Sequence, residues 1–145
     1  QDIQAVISEM DPLEGALDFL NWLRSQLQVV IVSDTYVEFA GPLLEKLGWP
    51  MLFCNTLEVA ADGRISGYIL RQKDGKKKVA MALQNLNYKV IDIGDSYNDI
   101  TMLRAADKAI LFRPPENVEA EFPQFAVTTT YAEIQREIQK IINAS

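Results

Sequence analysis

Asp95 and Asp99 stand four positions apart just after the apolar run Val90-Ile91-Asp92-Ile93, which stops at Gly94. Two carboxylates converging on one point repel each other unless a cation or a shared proton compensates, and hard oxygen ligands with few protein contacts suit Mg²⁺. The same acids have a plainer use, Asp95 as a helix cap and Asp99 as a complement to the helix dipole. A Gly-Asp-x-x-x-Asp spacing is too short to decide between the two. A second polar set, Ser33-Asp34-Thr35, ends the apolar run Val29-Val30-Ile31-Val32, and these types too are common caps of a following helix. A third set is Arg71, Lys73, Lys76, Lys77 and Lys78 around Asp74-Gly75. Lysines in a first helical turn oppose the dipole by about 0.3–1 kcal/mol each when exposed, a locally unfavourable choice that points to an anionic partner. For Lys77 and Lys78 individually a solvated charge run explains as much. Histidine is absent, which removes His-based triads, His zinc ligands and a His general base.

These residues need a frame that brings strand ends together. Residues 2–9 read as a short helix ending before Asp11-Pro12. Pro12 suits a first helical turn, and Leu13, Ala16, Leu17, Leu20 and Leu23 make an apolar stripe through about Gln26. A buried strand at 29–32 leads into Ser33, and a helix follows at about 37–47, with Phe39, Leu43, Leu44 and Leu47 inward. Met51 to Cys54 is a further short strand, and Leu57-Glu58-Val59 and Ile65 to Leu70 flank an Asp62-Gly63 hairpin turn. The lysine cluster opens a helix marked by Val79, Ala80, Leu83 and Leu86. Beyond the 90–95 strand come a helix at 98–106, a strand at 109–112, a short helix from Pro114, an edge-like strand at 125–129 and an amphipathic helix from Tyr131 to Ile142. Strand and helix alternating in this way predict an α/β fold with a mostly parallel sheet, helices on both faces and a β-hairpin projection. Right-handed crossovers then set the carboxyl ends of the parallel strands, Ser33 and Asp95 among them, along one edge, with Lys76 in reach.

With 145 residues, 48% hydrophobic and 23% charged, the chain suits one core domain and is too short for two typical ones. Its formal charge of −6 argues against a general nucleic-acid or anionic-membrane surface. Cys54 is a single cysteine, so an intrachain disulfide is impossible and nothing requires an oxidising compartment. No apolar run reaches membrane-span length and no signal-peptide order is present at the amino end, so a cytoplasmic protein is expected.

Ser33-Asp34-Thr35, Lys76 before Val79, and Gly94-Asp95-Ser96-Tyr97-Asn98-Asp99 occur in the order of the later motifs of haloacid dehalogenase superfamily phosphatases, which the chain resembles. Pro12-Leu13-Glu14-Gly15, Leu70-Arg71-Gln72-Lys73-Asp74, Thr101-Met102-Leu103, Pro115-Glu116-Asn117-Val118 and Glu121-Phe122-Pro123-Gln124-Phe125 extend the resemblance over nearly the whole length. They place it in the phosphoserine phosphatase branch, nearest its bifunctional phosphatase/homoserine phosphotransferase members. The resemblance implies a Rossmann-like three-layer sandwich and a Mg²⁺-dependent phosphatase or phosphotransferase of amino-acid and serine biosynthesis, acting on a small phosphorylated amino acid through a phospho-aspartate. It further implies that Ser33 hydrogen-bonds the transferring phosphoryl group with Asp34 and Thr35 beside it. Lys76 would neutralise that group, Asp95 bind Mg²⁺, Asp99 support the metal shell, and Asn98 lie close to the phosphate. Such a set suits phosphoryl transfer, which needs charge neutralisation and in-line positioning more than a histidine.

One departure stands out. The family's first strand carries an Asp-x-Asp/Glu-Gly motif whose first aspartate is the covalent nucleophile, and no such motif occurs in these residues. The helical cap that follows it is also absent, except where residues 1–9 represent its end. The expectation is a carboxyl-terminal portion of a longer enzyme, inactive and less stable alone, which associates with its own amino-terminal segment or with another copy. The alternative is a non-catalytic metal- or phosphate-binding or regulatory α/β domain.

Overall fold

The computed structural model describes residues 3–144. The chain divides into two compact units, residues 1–73 and 74–145. Among the described residues three of the four strand pairings are parallel, the mixed and mostly parallel α/β pattern expected from the alternation of elements.

In the first unit α1 (Ile3–Ser8) lies within the predicted 2–9 helix, whose first position falls outside the described residues. Gln4 Nε2 of α1 donates to the Glu38 carbonyl at 3.0 Å. The next helix, α2 (Ala16–Gln26), starts later than Pro12 because Gly15 takes a left-handed conformation at φ 79°, which ends the turn before it. Pro12 and Leu13 therefore precede the helix, and Leu13 is exposed. Strand β1 (Val30–Tyr36) pairs in parallel with the first half of β2 (Met51–Val59). The second half of β2 pairs antiparallel with β3 (Ile65–Ile69), so two strands predicted at 51–54 and 57–59 are one continuous strand serving two partners. The predicted hairpin projection is β2 turning through Asp62-Gly63 into β3. Helix α3 (Val37–Lys46) connects β1 to β2.

The second unit orders its elements as α4 (Gly75–Asn85), β4 (Ile91–Gly94), a 3₁₀ turn (Tyr97–Asp99), α5 (Ile100–Ala105), β5 (Lys108–Phe112), α6 (Glu116–Glu121), β6 (Ala126–Thr128) and α7 (Tyr131–Asn143). Its sheet runs β4-β5-β6, all parallel, with β5 in the middle. The apolar run Ala109-Ile110-Leu111-Phe112 is covered on both faces, as a central parallel strand should be, and Ile110 and Leu111 are buried. Leu111 packs with Ile100, Leu103, Val118 and Phe122, and a second cluster joins Ala80, Val90 and Met102. Ile134 and Ile138, one helical turn apart on α7, are also buried, and Thr130 caps that helix by accepting from the Glu133 N–H at 3.2 Å. Within their own sheets, β1 and β4 are each an outer strand.

Candidate active site

The loop from Gly94 to Asp99 is built around one buried carboxylate. Asp99 Oδ2 accepts the backbone N–H groups of Asp95 at 3.0 Å and Ser96 at 3.3 Å, closing the loop on itself. Its other oxygen, Oδ1, accepts from Lys76 Nζ at 2.9 Å, and the side chains of Lys76 and Asp99 are only 14% and 11% exposed. The strand must end in glycine to let this happen, since a Cβ at position 94 would stand 2.5 Å from Asp99 Cβ and 2.8 Å from its carboxylate. Burial pushes the Asp99 carboxyl up, yet the hydrogen bonds from Lys76 and from the Asp95 and Ser96 N–H groups outweigh it and hold the group below the usual carboxylate range. A buried pair of this kind is paired and satisfied, and its members depend on each other.

Lys76 is thus singled out from the cluster. It sits in the first turn of α4 with Lys77 and Lys78, where the dipole disfavours all three, and Asp99 offsets that cost for Lys76 alone among the pairings seen. Lys73 and Lys78 are exposed. No side chain caps α4, because Asp74, the residue before it, adopts φ 54° and its carboxylate instead accepts from Thr101 Oγ1 at 2.9 Å.

Asp95 and Asn98 are exposed at the carboxyl end of β4, and among the described residues nothing donates to the Asp95 carboxylate. Asp95 is therefore no helix cap, whereas Asp99 supplies the acidic half of a capping box. An open, exposed carboxylate at a parallel strand's end fits Mg²⁺, which keeps several waters and takes one or two carboxylates together with phosphate oxygens. Asp99 fits a supporting place better than a direct one, its two oxygens being committed to Lys76 and the loop N–H groups. Among the described residues no three His, Cys, Asp or Glu side chains form a ready cation cage.

Ser33, Asp34 and Thr35 belong to the first unit and do not terminate its strand. Val32 pairs with Phe53 and Tyr36 with Asn55, so the three polar residues bulge opposite Cys54 alone. The Thr35 N–H donates to Ser33 Oγ at 3.2 Å. Buried Asn55 holds the bulge, donating from Nδ2 to the Asp34 carbonyl and accepting the Arg71 N–H on Oδ1, both at 3.1 Å. The cap reading of Ser33-Asp34-Thr35 is corrected here: α3 begins after Tyr36 with no side-chain cap, and Glu38 in its first turn accepts the Leu57 N–H at 2.9 Å.

Residue spacing alone marks neither Asp92 nor Tyr97. Asp92 looks like any residue of a buried strand, yet its Oδ2 is buried without a hydrogen-bond partner, and burial followed by repulsion from Asp99 pushes its carboxyl up to about 7. An acid at the centre of an apolar strand is the one signal that could have marked it. Tyr97, on the outer side of the loop, donates to Glu121 Oε2 at 2.5 Å and accepts from Asn117 Nδ2 at 3.5 Å. No spacing rule links positions 97, 117 and 121.

A short-loop parallel sheet presenting an aspartate, a lysine-paired aspartate and a glycine-closed turn is the frame of a hydrolase of the haloacid dehalogenase type. The chain belongs to the haloacid dehalogenase-like hydrolases, whose family model matches residues 1–107. It is 51% identical over 144 residues to the phosphoserine phosphatase ThrH of Pseudomonas aeruginosa, covering 99% of this chain and 70% of that protein. To a phosphoserine phosphatase of Pseudomonas syringae pv. tomato it is 51% identical over 142 residues, 98% of this chain and 60% of that one. A substrate-bound phosphoserine phosphatase complex shares the fold with a TM-score of 0.76 at 22% identity, over 92% of this chain and 67% of its own. The chain thus spans 60% to 70% of the length of these two curated relatives. Among the described residues no helix is long and apolar enough to cross a membrane.

Proposed function

We propose that the protein containing these residues is a Mg²⁺-dependent phosphomonoester phosphatase acting on phosphoserine or a close phosphorylated amino acid, with a second alcohol able to replace water as acceptor. The observation that carries this reading is the Lys76–Asp99 pair, which fixes a cation beside the turn while leaving the Asp95 carboxylate open. The 51% identity to proteins named phosphoserine phosphatase supports the substrate class.

In this reading Lys76 Nζ, held by the Asp99 carboxylate, neutralises charge on the phosphoryl oxygens. Asn98, in the same loop as Asp95, orients that group. Asp95 would hold Mg²⁺, with Asp99 supporting from behind; the ion would supply further charge neutralisation when bound. The covalent nucleophile is the first aspartate of an Asp-x-Asp/Glu-Gly motif lying outside these residues, whose phospho-aspartate is then discharged by water or an alcohol.

The test is phosphoserine hydrolysis by the full-length protein. Asp95→Asn is expected to lower kcat by about 10²-fold or more, as loss of an electrostatic stabiliser does. Lys76→Ala should be comparably damaging and Lys78→Ala nearly silent. Full turnover in excess chelator, or equal losses for the two lysines, would overturn the assignment.

A further inference from the structure

The loop that carries Asp95 is anchored twice, and only the inner anchor belongs to the machinery described above. On the inside Asp99 binds the Asp95 and Ser96 N–H groups. On the outside the Tyr97 ring meets Phe122 edge to face at 6.0 Å, and Phe122 is 3% exposed within the main core cluster. Phe122 is itself fixed by stacking on Phe125 at 6.1 Å and by the Arg104 guanidinium over its ring at 5.1 Å. The Tyr97 hydroxyl is then tied to two residues of α6, Glu121 and Asn117. A charge-assisted phenol–carboxylate bond is among the stronger neutral-to-ion contacts, and here it fastens the loop to a helix 24 residues further along the chain.

We infer that Tyr97, fastened to Glu121 and Asn117 of α6, is a positioning residue that fixes the Asp95 carboxylate for Mg²⁺. The inference rests on the proposed Mg²⁺ role of Asp95 and extends it to residues that never touch the ion. Asp95 has no side-chain hydrogen bond of its own among the described residues, so its carboxylate inherits its place from the backbone between the two anchors. Releasing the outer anchor leaves that backbone held on one side, and a metal ligand whose support is lost binds more weakly. Because Tyr97 acts through the backbone rather than on a ligand atom, the effect should lie at or below the lower end of the ~10–100-fold range seen when groups bonded directly to ligands are removed.

The experiment measures Mg²⁺ affinity of the full-length protein by isothermal titration calorimetry, alongside thermal stability without metal. Tyr97→Phe keeps the ring on Phe122 and removes only the hydroxyl; Glu121→Ala removes its acceptor; Glu121→Gln retains an amide acceptor. Tyr97→Phe and Glu121→Ala are expected to weaken Mg²⁺ binding about threefold to tenfold, with Glu121→Gln restoring most of it. Asp95→Asn should abolish binding. Unchanged Mg²⁺ affinity in Tyr97→Phe and Glu121→Ala, with Asp95→Asn still defective, would overturn the positioning role while leaving the metal reading intact. Loss of thermal stability without loss of affinity would do the same. Absence of Mg²⁺ binding in the unmodified protein would overturn the metal reading and this inference with it.

Discussion

Among the described residues the buried apolar side chains divide unequally: Leu20 and Pro50 alone lie within 3–73, and the rest, from Val79 to Ile138, lie within 74–144. The second unit closes around β5, whose two faces are covered by α5, α6 and α7 residues. The first unit relies on half-buried strands and on polar fasteners, Asn55 across the β1 bulge and Glu38 on the β2 backbone. The contrast explains where each kind of polar residue can be used. A lysine–aspartate pair keeps its strength where packing excludes water, and the dense unit holds Lys76–Asp99. The Ser33 bulge lies in the looser unit and is fastened by Asn55 rather than by apolar packing.

The contrast in packing can be broken directly. Leu111, fully buried, should cost about 2–5 kcal/mol as Leu111→Ala, since lost transfer free energy and a cavity add. Leu13, 66% exposed in the first unit, should change stability by no more than about 0.5 kcal/mol as Leu13→Ala. Urea denaturation of the full-length protein measures both, and equal losses would show that the first unit has a core the burial pattern hides.

Glycine substitutions sharpen it with opposite signs. Gly94→Ala forces a methyl against the Asp99 side chain at 2.5 Å and should destabilise by about 1–3 kcal/mol, as overpacking does. Gly41 lies inside α3, and an added methyl there would meet nothing within 4 Å, so Gly41→Ala should stabilise by about 0.4–1 kcal/mol. The same denaturation curves decide it, and a stabilising Gly94→Ala would sink the account of the closed loop.

The remaining test concerns Asp92 and is read against pH. Its folded-state pKa of about 7 lies above the ordinary 3.8, so the native state holds the proton more tightly than the unfolded chain. That contribution to stability is complete below the unfolded value and is lost as pH rises through the folded one. Asp92→Asn should therefore gain on the unmodified protein between about pH 4 and 7 and keep a constant lead above that range. Parallel stability–pH curves for the two proteins would show that Asp92 titrates normally.

Much of this was legible in the residues themselves. Apolar runs at 29–32, 90–93 and 109–112, helical stripes from Leu13 to about Gln26 and from Tyr131 to Ile142, and the Asp62-Gly63 turn are local patterns, set by side-chain type and spacing alone; each element formed near its predicted place, the first of these helices starting later, at Ala16. The order of Ser33, Lys76 and the Gly94 to Asp99 turn likewise identified the hydrolase family that the homologues support. Pairing and burial were not legible, because they depend on which elements meet. Position in the chain could not tell Lys76 from Lys77 or Lys78; proximity to Asp99 does. Ser33, Asp34 and Thr35 have the composition of a cap and form a bulge because Asn55, 21 positions beyond Asp34, binds its carbonyl. Asp92 shows locally only an acid among apolar neighbours, while its burial without a partner comes from the fold, and Tyr97 finds Glu121 only when α6 is laid beside the loop. Local propensity acts within a few residues, whereas desolvation and hydrogen bonding between distant groups exist only once the chain has folded.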